Sequence, residues 1–366
     1  MDDSRRAGLS QNLDRQVGSL RFPAVRLLTL YISPLFRSRC QLPQAEKQLI
    51  AIIRARAASK RRGISTGIGD DCAILQIPTG HQTLVTTDFS LEKVHFRREW
   101  HPAEVIGHRC LTRGLSDIAA MGGTPIDAFL SLALPPNLPQ SWVNQFLGGL
   151  LKLADRFHLT LAGGDTGQSP GGVLADIVVL GSVPKGDAIH RSGARPGDRV
   201  YVTGALGGAG ATLKLLFSGK KLRPADFPSH FHPIPRIEVG RFLQEKGLAS
   251  AMIDLSDGLS TDLGHICDES GAGATIQAAA IPLASIGKPT STVGLEFALN
   301  GGDDYELLFT AHRAKRVPAR IAGIPITKIG EITRDKQVLL VNENGVASKL
   351  KPRGWEHFKG AEPSRP

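Results

Sequence analysis

The stretch "GIGDDCAIL" (67–75) places two adjacent aspartates between a Gly-x-Gly turn and an apolar run. Aspartate is disfavoured in strands, and an unpaired carboxylate is costly to bury. Because successive side chains of an extended segment point to opposite faces, Asp70 and Asp71 are not expected to face the same site. The stretch therefore predicts unequal roles for the two carboxylates.

A related pattern, an apolar strand that ends in a glycine- or serine-flanked aspartate, recurs along the chain. It is seen in "VTTD" (Asp88), "GLSD" (Asp117), "AGGD" (Asp165), "IDLSD" (Asp254, Asp257) and "GGDD" (Asp303, Asp304). Hard oxygen ligands without paired imidazoles or thiolates suit Mg²⁺. Helix capping and Asx turns explain any one motif alone. The recurrence beside glycines, whose backbone N–H groups can approach phosphate oxygens, favours a site for Mg²⁺ and a polyphosphate.

Composition indicates a globular protein with an unusual charge distribution. The 366 residues suffice for two domains, with 41% hydrophobic and 21% charged residues. Residues 1–62 carry 13 Lys and Arg against 4 Asp and Glu, which is +9 of the net charge of +10. The rest of the chain is nearly neutral, so the basic pI gives no indication of nucleic-acid binding. Four cysteines without zinc-ligand spacing predict a reducing, cytoplasmic location: Cys40, Cys72, Cys110 and Cys267.

The arginine-rich segment 1–42 is harder to interpret. Its most apolar part, "LLTLYISPLF" (27–36), contains Pro34 and is too short to span a membrane. The segment is predicted to be a disordered or loosely helical extension. A targeting or membrane-surface role is the alternative.

Hydrophobic periodicity predicts a mixed α/β fold without the regular alternation of a barrel. Before a polar break at 184–198, helices are predicted at 43–59, 102–123 and 141–157, and strands at 81–88, 127–135, 159–166 and 172–183. After the break, strands are predicted at 199–204, 250–258, 301–311, 324–334 and 336–345, and helices at 207–219 and 259–271. The break predicts an extension (1–42), an N-terminal domain (43–184) and a C-terminal domain (185–366).

The glycine-rich turn in "VTGALGGAGATLKLL" (202–216) matches neither of two common nucleotide motifs. It lacks the G-K-[ST] of a P-loop and the G-x-G-x-x-G spacing of a dinucleotide fingerprint. We therefore interpret it as a tight strand-to-helix turn.

The motifs occur in the order found in one family. They are "GIGDDCAIL", "TTDFSLEKVHF", "LSDIAAMGG", "AGGDT", "RSGARPGD", "VTGALG", "IDLSDGLSTDLGHI", "GGDDYELLF" and "GWEHF". Together they resemble the thiamine-monophosphate kinases of the aminoimidazole-ribonucleotide-synthetase-like superfamily, over about residues 44–358. The resemblance implies transfer of the γ-phosphoryl group of ATP to thiamine monophosphate, giving thiamine diphosphate. It also implies a two-domain α/β fold, an N-terminal ATP- and Mg²⁺-binding domain whose strands pair across a homodimer, and an active site between the domains.

Matched by motif, the resemblance implies site residues. Several Mg²⁺ ions would be held by Asp71, Thr86, Thr87, Asp88, Asp117, Asp165, Asp254 and Asp257. ATP would be contacted by Gly164, Asp165, Arg191 and Ser256, and the thiamine phosphate by His95, Asp303 and Trp355. The catalytic group would be Asp88, Asp165, Asp257 and Arg191. For Trp355, simple packing of the C-terminal segment is the alternative to an aromatic face for a cationic substrate.

Several positions depart from the family pattern. Gly114 stands where the family has Asn, and Asp303 replaces the Glu of "GGED", so its side chain is one methylene shorter. Gln168 follows "GGDT" where a basic residue is common, and "ALGGAG" lacks a usual serine. These changes leave the predicted metal ligands in place. We expect them to affect the contacts with the substrate and the rate of the reaction.

Two other functions stay open on the sequence alone. Another ATP-dependent enzyme of the superfamily would fit the metal motifs, through aminoimidazole ribonucleotide, selenophosphate or carbamoyl-dehydration chemistry. The chain lacks the reactive Cys–Lys arrangement expected of a selenophosphate synthetase. A catalytically inactive nucleotide-binding protein would fit the departures and the basic extension.

Overall fold

The computed structural model describes residues 46–57, 64–68 and 72–355. Within these ranges the chain forms eight α-helices: α1 (Glu46–Ala57), α2 (Ala103–Ala120), α3 (Gln140–Arg156), α4 (Gly208–Phe217), α5 (Pro228–Phe231), α6 (Ile237–Glu245), α7 (Leu259–Ser270) and α8 (Leu295–Asn300). The strands of the same ranges are β1 (Ile64–Thr66), β2 (Ile74–Leu75), β3 (His81–Leu91), β4 (Thr124–Leu134), β5 (Thr160–Gln168), β6 (Leu174–Pro184), β7 (Arg199–Thr203), β8 (Ala251–Asp254), β9 (Gly273–Gln277), β10 (Ser285–Ile286), β11 (Ser291–Thr292), β12 (Leu307–Ala311), β13 (Arg320–Ile321), β14 (Ile324–Thr333), β15 (Val338–Val341) and β16 (Ala347–Lys349). The predictions for residues 1–42 and for Asp70 and Asp71 lie outside the described residues.

The first sheet has four strands in the order β3-β6-β4-β5. β6 runs antiparallel to β3 and β4, while β4 and β5 are parallel and are joined by α3. Strand alternation buries Ala175, Ile177 and Val179 of β6 on the face against which α2 packs. The opposite face carries Val85 and Phe89 of the edge strand β3, and both are exposed in the described chain.

The second sheet has the order β16-β15-β9-β14-β7-β12-β8, with β13 paired to β14. β12 lies antiparallel between β7 and β8. The hydrophobic core of this second sheet includes Val202, Ile253 and Leu308. Because Leu307 pairs with Asp254, the end of β8 lies beside the segment that leads into β12.

Helix α2 lies between the two sheets. Fifteen of its 18 residues are buried, and it packs against β3 and β6 on one side and β8 on the other. It also meets α3 backbone to backbone. A Cβ on Gly107 would lie 1.9 Å from the Phe146 carbonyl oxygen, and one on Gly149 would lie 1.8 Å from the Glu104 carbonyl oxygen. Glycine is therefore required at both positions by the close approach.

The predicted helices and strands are confirmed where the structure describes them, with boundaries that shift by a few residues, apart from two strands. Short elements such as α6, α8 and β9 had no predicted counterpart, because a pattern of so few residues carries a weak periodic signal. None of the helices in the described ranges combines the length and the apolar character that a membrane span requires.

The strands predicted at 301–311 and 250–258 are too long. β12 begins at Leu307 and β8 ends at Asp254. Asp303 and Tyr305 have φ angles of 66° and 51°, outside the range of a strand. Their backbone N–H groups donate to carbonyl oxygens of the loop after β8, so the two irregular segments hold each other.

We expect Gly149→Ala to lower the free energy of unfolding by about 3 kcal/mol, since the new Cβ would collide with the α2 backbone. Gly148→Ala is the matched control one residue earlier in α3, where a Cβ would meet nothing within 4 Å. The control should stabilise the helix by about 0.5–1 kcal/mol. Chemical unfolding of both variants measures the difference, and equal effects would contradict the backbone contact.

Candidate active site

A cavity of about 1350 Å³ is bounded by both halves of the chain. β3, the loop after it and α2 form one side, while α4, α7 and the segment before β12 form the other. Nine of the residues predicted from the sequence line it: Asp88, His95, Asp117, Arg191, Asp254, Ser256, Asp257, Asp303 and Trp355. The fold thus brings motifs that are far apart in the sequence to one place.

Three carboxylates from three elements form an acidic cluster, Asp88 on β3, Asp117 on α2 and Asp254 at the end of β8. Thr86 donates a hydrogen bond to Asp117 Oδ2. Ser116 donates one of 2.6 Å to Asp254 Oδ2. Each carboxylate that is bonded in this way has a fixed orientation toward the cavity.

Burial raises the pKa of every carboxyl in the acidic cluster. Together with the charge of Asp117, burial raises the pKa of Asp88 to about 6 and that of Asp254 to about 7. Burial also raises the pKa of Asp117. Arg113 compensates only in part, since its Nη1 is 3.9 Å from Asp88 Oδ1. Buried oxygen ligands whose negative charge is only partly compensated are a donor set that fits Mg²⁺.

Asp257 belongs to a second group of possible metal ligands. Its ligand atoms and those of Asp262 and His265 all lie within 4.8 Å of one another. Asp262 accepts hydrogen bonds from the backbone N–H groups of Asp257 at 3.3 Å and Gly258 at 3.0 Å, and burial raises its pKa to about 8. Asp262 therefore holds the turn that begins α7, while Asp257 and His265 line the cavity.

The two aspartates of "GGDD" have different roles. Asp303 lines the cavity, and its Oδ2 accepts a hydrogen bond of 2.8 Å from Arg109 Nη2. Asp304 accepts hydrogen bonds from the backbone N–H groups of Gly207 at 2.6 Å and Ala209 at 3.3 Å. Asp304 thus satisfies free N–H groups at the start of α4.

The electrostatic environments of these two aspartates also differ. Burial by itself would raise the pKa of Asp303, but Arg109 and Arg113 outweigh it and hold the pKa well below the usual range. Tyr305 contributes through a hydroxyl hydrogen bond of 2.6 Å to Asp303 Oδ1. Burial raises the pKa of Asp304 to about 7. Asp303 is therefore a permanent anion, whereas Asp304 titrates near neutral pH.

Arg191, His95 and Trp355 also line the cavity. The exposed Arg191 is close enough to oppose the rise in the pKa of Asp117. His95 Nδ1 accepts a hydrogen bond of 3.0 Å from the Leu91 backbone N–H. Trp355 is 54% exposed. Its role as an aromatic face for the substrate stays a prediction.

Four predicted residues are not among the described residues that line the cavity: Thr86, Thr87, Gly164 and Asp165. Thr86 lies behind Asp117, to which it donates its hydroxyl hydrogen bond. Thr87 faces the other side of the first sheet and donates a hydrogen bond of 2.8 Å to Asp176 Oδ1.

Asp165 also faces that other side. It pairs with Ser131, which pairs with Asp176, and directly paired residues of a sheet point to the same face. Gly164 lies in the same row of the sheet as Asp88 but three strands away, which is roughly 14 Å. Within one chain, Asp88 and Asp165 therefore do not meet, and their joint role stays a prediction.

Among the residues that line the cavity and were not predicted from the sequence are Arg109 and Arg113. Arg113 Nη2 lies 3.4 Å from Asp303 Oδ1. A signal was available, because Arg109, Arg113 and Asp117 are spaced by four and so share one face of α2.

An aromatic wall, made of Trp100, His101, Phe217 and His230, continues from these arginines. Arg109 donates a hydrogen bond to the His230 carbonyl oxygen. His101 Nε2 lies 3.0 Å from His230 Nε2, and the Trp100 and Phe217 rings meet edge to face at 4.9 Å. Burial lowers the pKa of His101 to about 4 and that of His230 well below its usual value, so both rings are neutral at pH 7.

The unusual glycine at 114 has a steric reason. A Cβ there would lie 2.5 Å from Val179 Cγ2 and 3.1 Å from Val179 Cβ. Because Val179 is buried in β6, an Asn at this position would push α2 away from the first sheet. Gly114 thus permits the approach that lets Thr86 reach Asp117.

We expect Asp254→Asn to stabilise the metal-free protein by ~2 kcal/mol at pH 8 and to have little effect near pH 4. The pKa of Asp254 rises from 3.8 to about 7 on folding. The folded state therefore binds the additional proton between these values, and stability falls as the pH rises through that window. Asparagine removes this loss and can still accept the Ser116 hydrogen bond.

Chemical unfolding in the presence of a chelator, from pH 4 to pH 8, measures this effect. The control is Asp226→Asn, which removes ion pairs with Arg223 and Lys288. These cations lower the pKa of Asp226, so it stays ionised from pH 4 to pH 8 and any effect of its substitution should not depend on pH in this range. A difference between wild type and Asp254→Asn that does not depend on pH would contradict the expectation.

Comparison with known proteins places the chain in a family. The model for the AIR synthase related protein N-terminal domain matches residues 69–183, and that for the C-terminal domain matches residues 195–341. The chain is 38% identical to thiamine-monophosphate kinase of Escherichia coli O157:H7, over 86% of this chain and 98% of that protein.

Solved structures agree with these matches. Thiamine-monophosphate kinase from Stenotrophomonas maltophilia K279a is 36% identical with a TM-score of 0.72, covering 82% of this chain and 96% of that chain. AaThiL in complex with AMPPCP and TMP is 30% identical with a TM-score of 0.68, covering 86% of this chain and 99% of that chain. The predicted mixed α/β fold class is confirmed. The chain belongs to the thiamine-monophosphate kinase family of AIR synthase related proteins.

Proposed function

We propose that this protein transfers the γ-phosphoryl group of ATP to thiamine monophosphate and so forms thiamine diphosphate. The observation that carries the proposal is a single cavity where the acidic cluster, Arg191 and the half-exposed Trp355 meet, in a chain of this family. The complex of AaThiL with AMPPCP and TMP supports the same pair of ligands for this chain.

The reaction joins two anions, which decides what the chain has to supply. A phosphate oxygen of the acceptor is already ionised at neutral pH, so no general base is needed. Positioning and positive charge then carry catalysis. Arg191 would contact the polyphosphate and offset the charge of the transferring group, and Ser256 would donate a hydrogen bond to it.

Mg²⁺ ions are part of this proposal. Asp88, Asp117 and Asp254 would hold them, because these carboxylates line the cavity and nearby cations compensate their charge only in part. Asp257 lines the same cavity and would be a further ligand. Bound Mg²⁺ neutralises phosphate oxygens and polarises the phosphoryl group. Further ligands proposed from the resemblance are Asp71, Thr86, Thr87 and Asp165.

The acceptor would contact His95 and Trp355, both of which line the cavity. The indole of Trp355 offers an aromatic face to a cationic ring, an attraction that grows when water is excluded. The backbone N–H of Trp355 donates a hydrogen bond of 3.2 Å to the Asp257 carbonyl oxygen. This bond fixes the backbone of Trp355 beside one of the proposed metal ligands.

A homodimer is also part of the proposal, for two reasons. Val85 and Phe89 on the open face of the first sheet are 65% and 55% exposed, which favours a covering partner. Gly164 and Asp165 do not line the cavity of their own chain, so a second copy is a natural source for them. We also propose a cytoplasmic location, from the cysteine pattern.

Incubation with ATP, Mg²⁺ and thiamine monophosphate should yield thiamine diphosphate, and chromatography measures its formation. Asp88→Asn should lower kcat by roughly 100-fold, because it removes a charged ligand of the proposed Mg²⁺ site. Without a firmly bound Mg²⁺, the repulsion between the two phosphate groups would be less well neutralised. The matched control is Asp268→Asn, which changes an exposed carboxylate of the same cavity and should stay within about twofold of wild type.

Two outcomes would contradict this function. Turnover of a different phosphate or carboxylate acceptor, with none of thiamine monophosphate, would indicate another ATP-dependent enzyme. Binding of ATP without any turnover would indicate a nucleotide-binding protein.

Light scattering should find two copies per particle, and Val85→Lys should shift the protein toward the monomer. Co-expressed Asp88→Asn and Asp165→Asn chains should recover about a quarter of the wild-type activity, because half the dimers are mixed and each mixed dimer has one intact site. A monomeric wild type would contradict the dimer. Mixed chains no more active than either variant would show that both residues act within one chain.

A further inference from the structure

Arg109 and Arg113 stand one helical turn apart on α2 and both line the cavity. Arg109 Nη2 lies 2.8 Å from Asp303 Oδ2, and Arg113 Nη2 lies 3.4 Å from Asp303 Oδ1. Their side chains are 6% and 15% exposed, so both charges are largely withdrawn from water. Two guanidinium groups share Asp303, which therefore does not neutralise both, and the other carboxylate near Arg113 is the more distant Asp88 at 3.9 Å.

Asp303 has little capacity left for a ligand. Its Oδ2 accepts the Arg109 hydrogen bond, and its Oδ1 accepts the Tyr305 hydroxyl at 2.6 Å and also faces Arg113. Its backbone N–H donates a hydrogen bond of 2.8 Å to the Ser256 carbonyl oxygen, which fixes the segment. Both carboxylate oxygens are thus directed at groups of the chain itself.

Arg113 is the less satisfied of the two arginines. Within the described part of the chain, its carboxylate contacts are Asp303 at 3.4 Å and Asp88 at 3.9 Å. Both exceed the roughly 2.7–2.9 Å typical of a charge-assisted hydrogen bond. A guanidinium carries five N–H donors in a planar fork that matches a phosphate. A buried fork with long contacts, facing a cavity, is suited to an anion.

We infer that Arg109 and Arg113 bind the phosphate of the acceptor, a phosphate monoester, and that Asp303 is a positioning residue that holds the two arginines. The inference rests on the proposed function. It deepens the prediction for Asp303, whose effect on the substrate is then exerted through Arg109 and Arg113.

The place of the two arginines in the cavity fits this role. Arg113 reaches toward Asp88 of the acidic cluster, and Arg109 is bonded to His230, where the aromatic wall begins. A monoester phosphate at this corner lies beside the acidic cluster, and one of the two rings of thiamine has the aromatic wall to lie against, which leaves the other ring for Trp355. The arginines neutralise the acceptor oxygens, so that a second anion can approach.

The test compares Arg113→Met and Arg109→Met with Asp303→Asn and a control, Arg353→Met. Arg353 lines the same cavity but is exposed and contacts neither Asp303 nor Asp88. Arg113→Met should raise the KM for thiamine monophosphate at least about tenfold and leave the KM for ATP within about twofold, as expected for one lost charged hydrogen bond. Arg113→Lys should recover part of the affinity.

Direct binding keeps the test independent of turnover. Calorimetry without ATP, with thiamine monophosphate and with inorganic phosphate as probes, should show the same loss in Arg113→Met and no loss in Arg353→Met. If wild type binds these probes but forms no thiamine diphosphate, the proposed function fails and the phosphate site stands. Thermal melting identifies an unfolded Arg109→Met, in which case Arg113→Met decides.

Two results would overturn the inference. One is unchanged affinity for thiamine monophosphate in the arginine variants with a loss in Asp303→Asn, which would make Asp303 itself the contact. The other is an equal rise in both KM values, which would show that Arg113 only joins the two sides of the cavity.

Discussion

The burial of α2 between the two sheets is the constraint on which the site depends. Gly107 permits backbone contact with α3, and Gly114 permits contact with β6. A helix held on several sides cannot turn about its axis, so one face stays directed at the cavity. That face carries Arg109, Arg113 and Asp117. The glycines on the packed faces of α2 therefore help to hold the charged residues of its open face in the cavity.

The charges of the cavity follow from how each carboxylate is compensated. Asp303 is held by two arginines and is ionised, whereas Asp88 and Asp254 lie among like charges and have raised pKa values. Burial of like charges opposes folding unless a cation joins them. Asp303 is thus neutralised by the arginines that it holds, whereas the charges of Asp88 and Asp254 are compensated only in part. A divalent cation would bind at these two carboxylates.

Much of the fold could be predicted from the sequence, because long amphipathic segments such as α2, α3 and β6 repeat their pattern over many residues. The errors lie at 250–258 and 301–311, where a strand pattern continues into loops. Asp303 and Tyr305 adopt positive φ there because hydrogen bonds to a distant segment hold them. No local pattern contains that information, since the partner residues are some fifty positions away in the chain.

The sequence by itself determined the family, the mixed α/β class and most of the acidic residues of the cavity, because glycine-flanked aspartates are local motifs. Only the tertiary structure decided which carboxylates meet and which cations face them. It separated Asp303 from Asp304, placed Arg109 and Arg113 against Asp303, and set Asp165 on the opposite face of the sheet from Asp88. The physical reason is that the charges around a side chain depend on neighbours that packing brings together. The spacing of residues along the chain does not specify these neighbours.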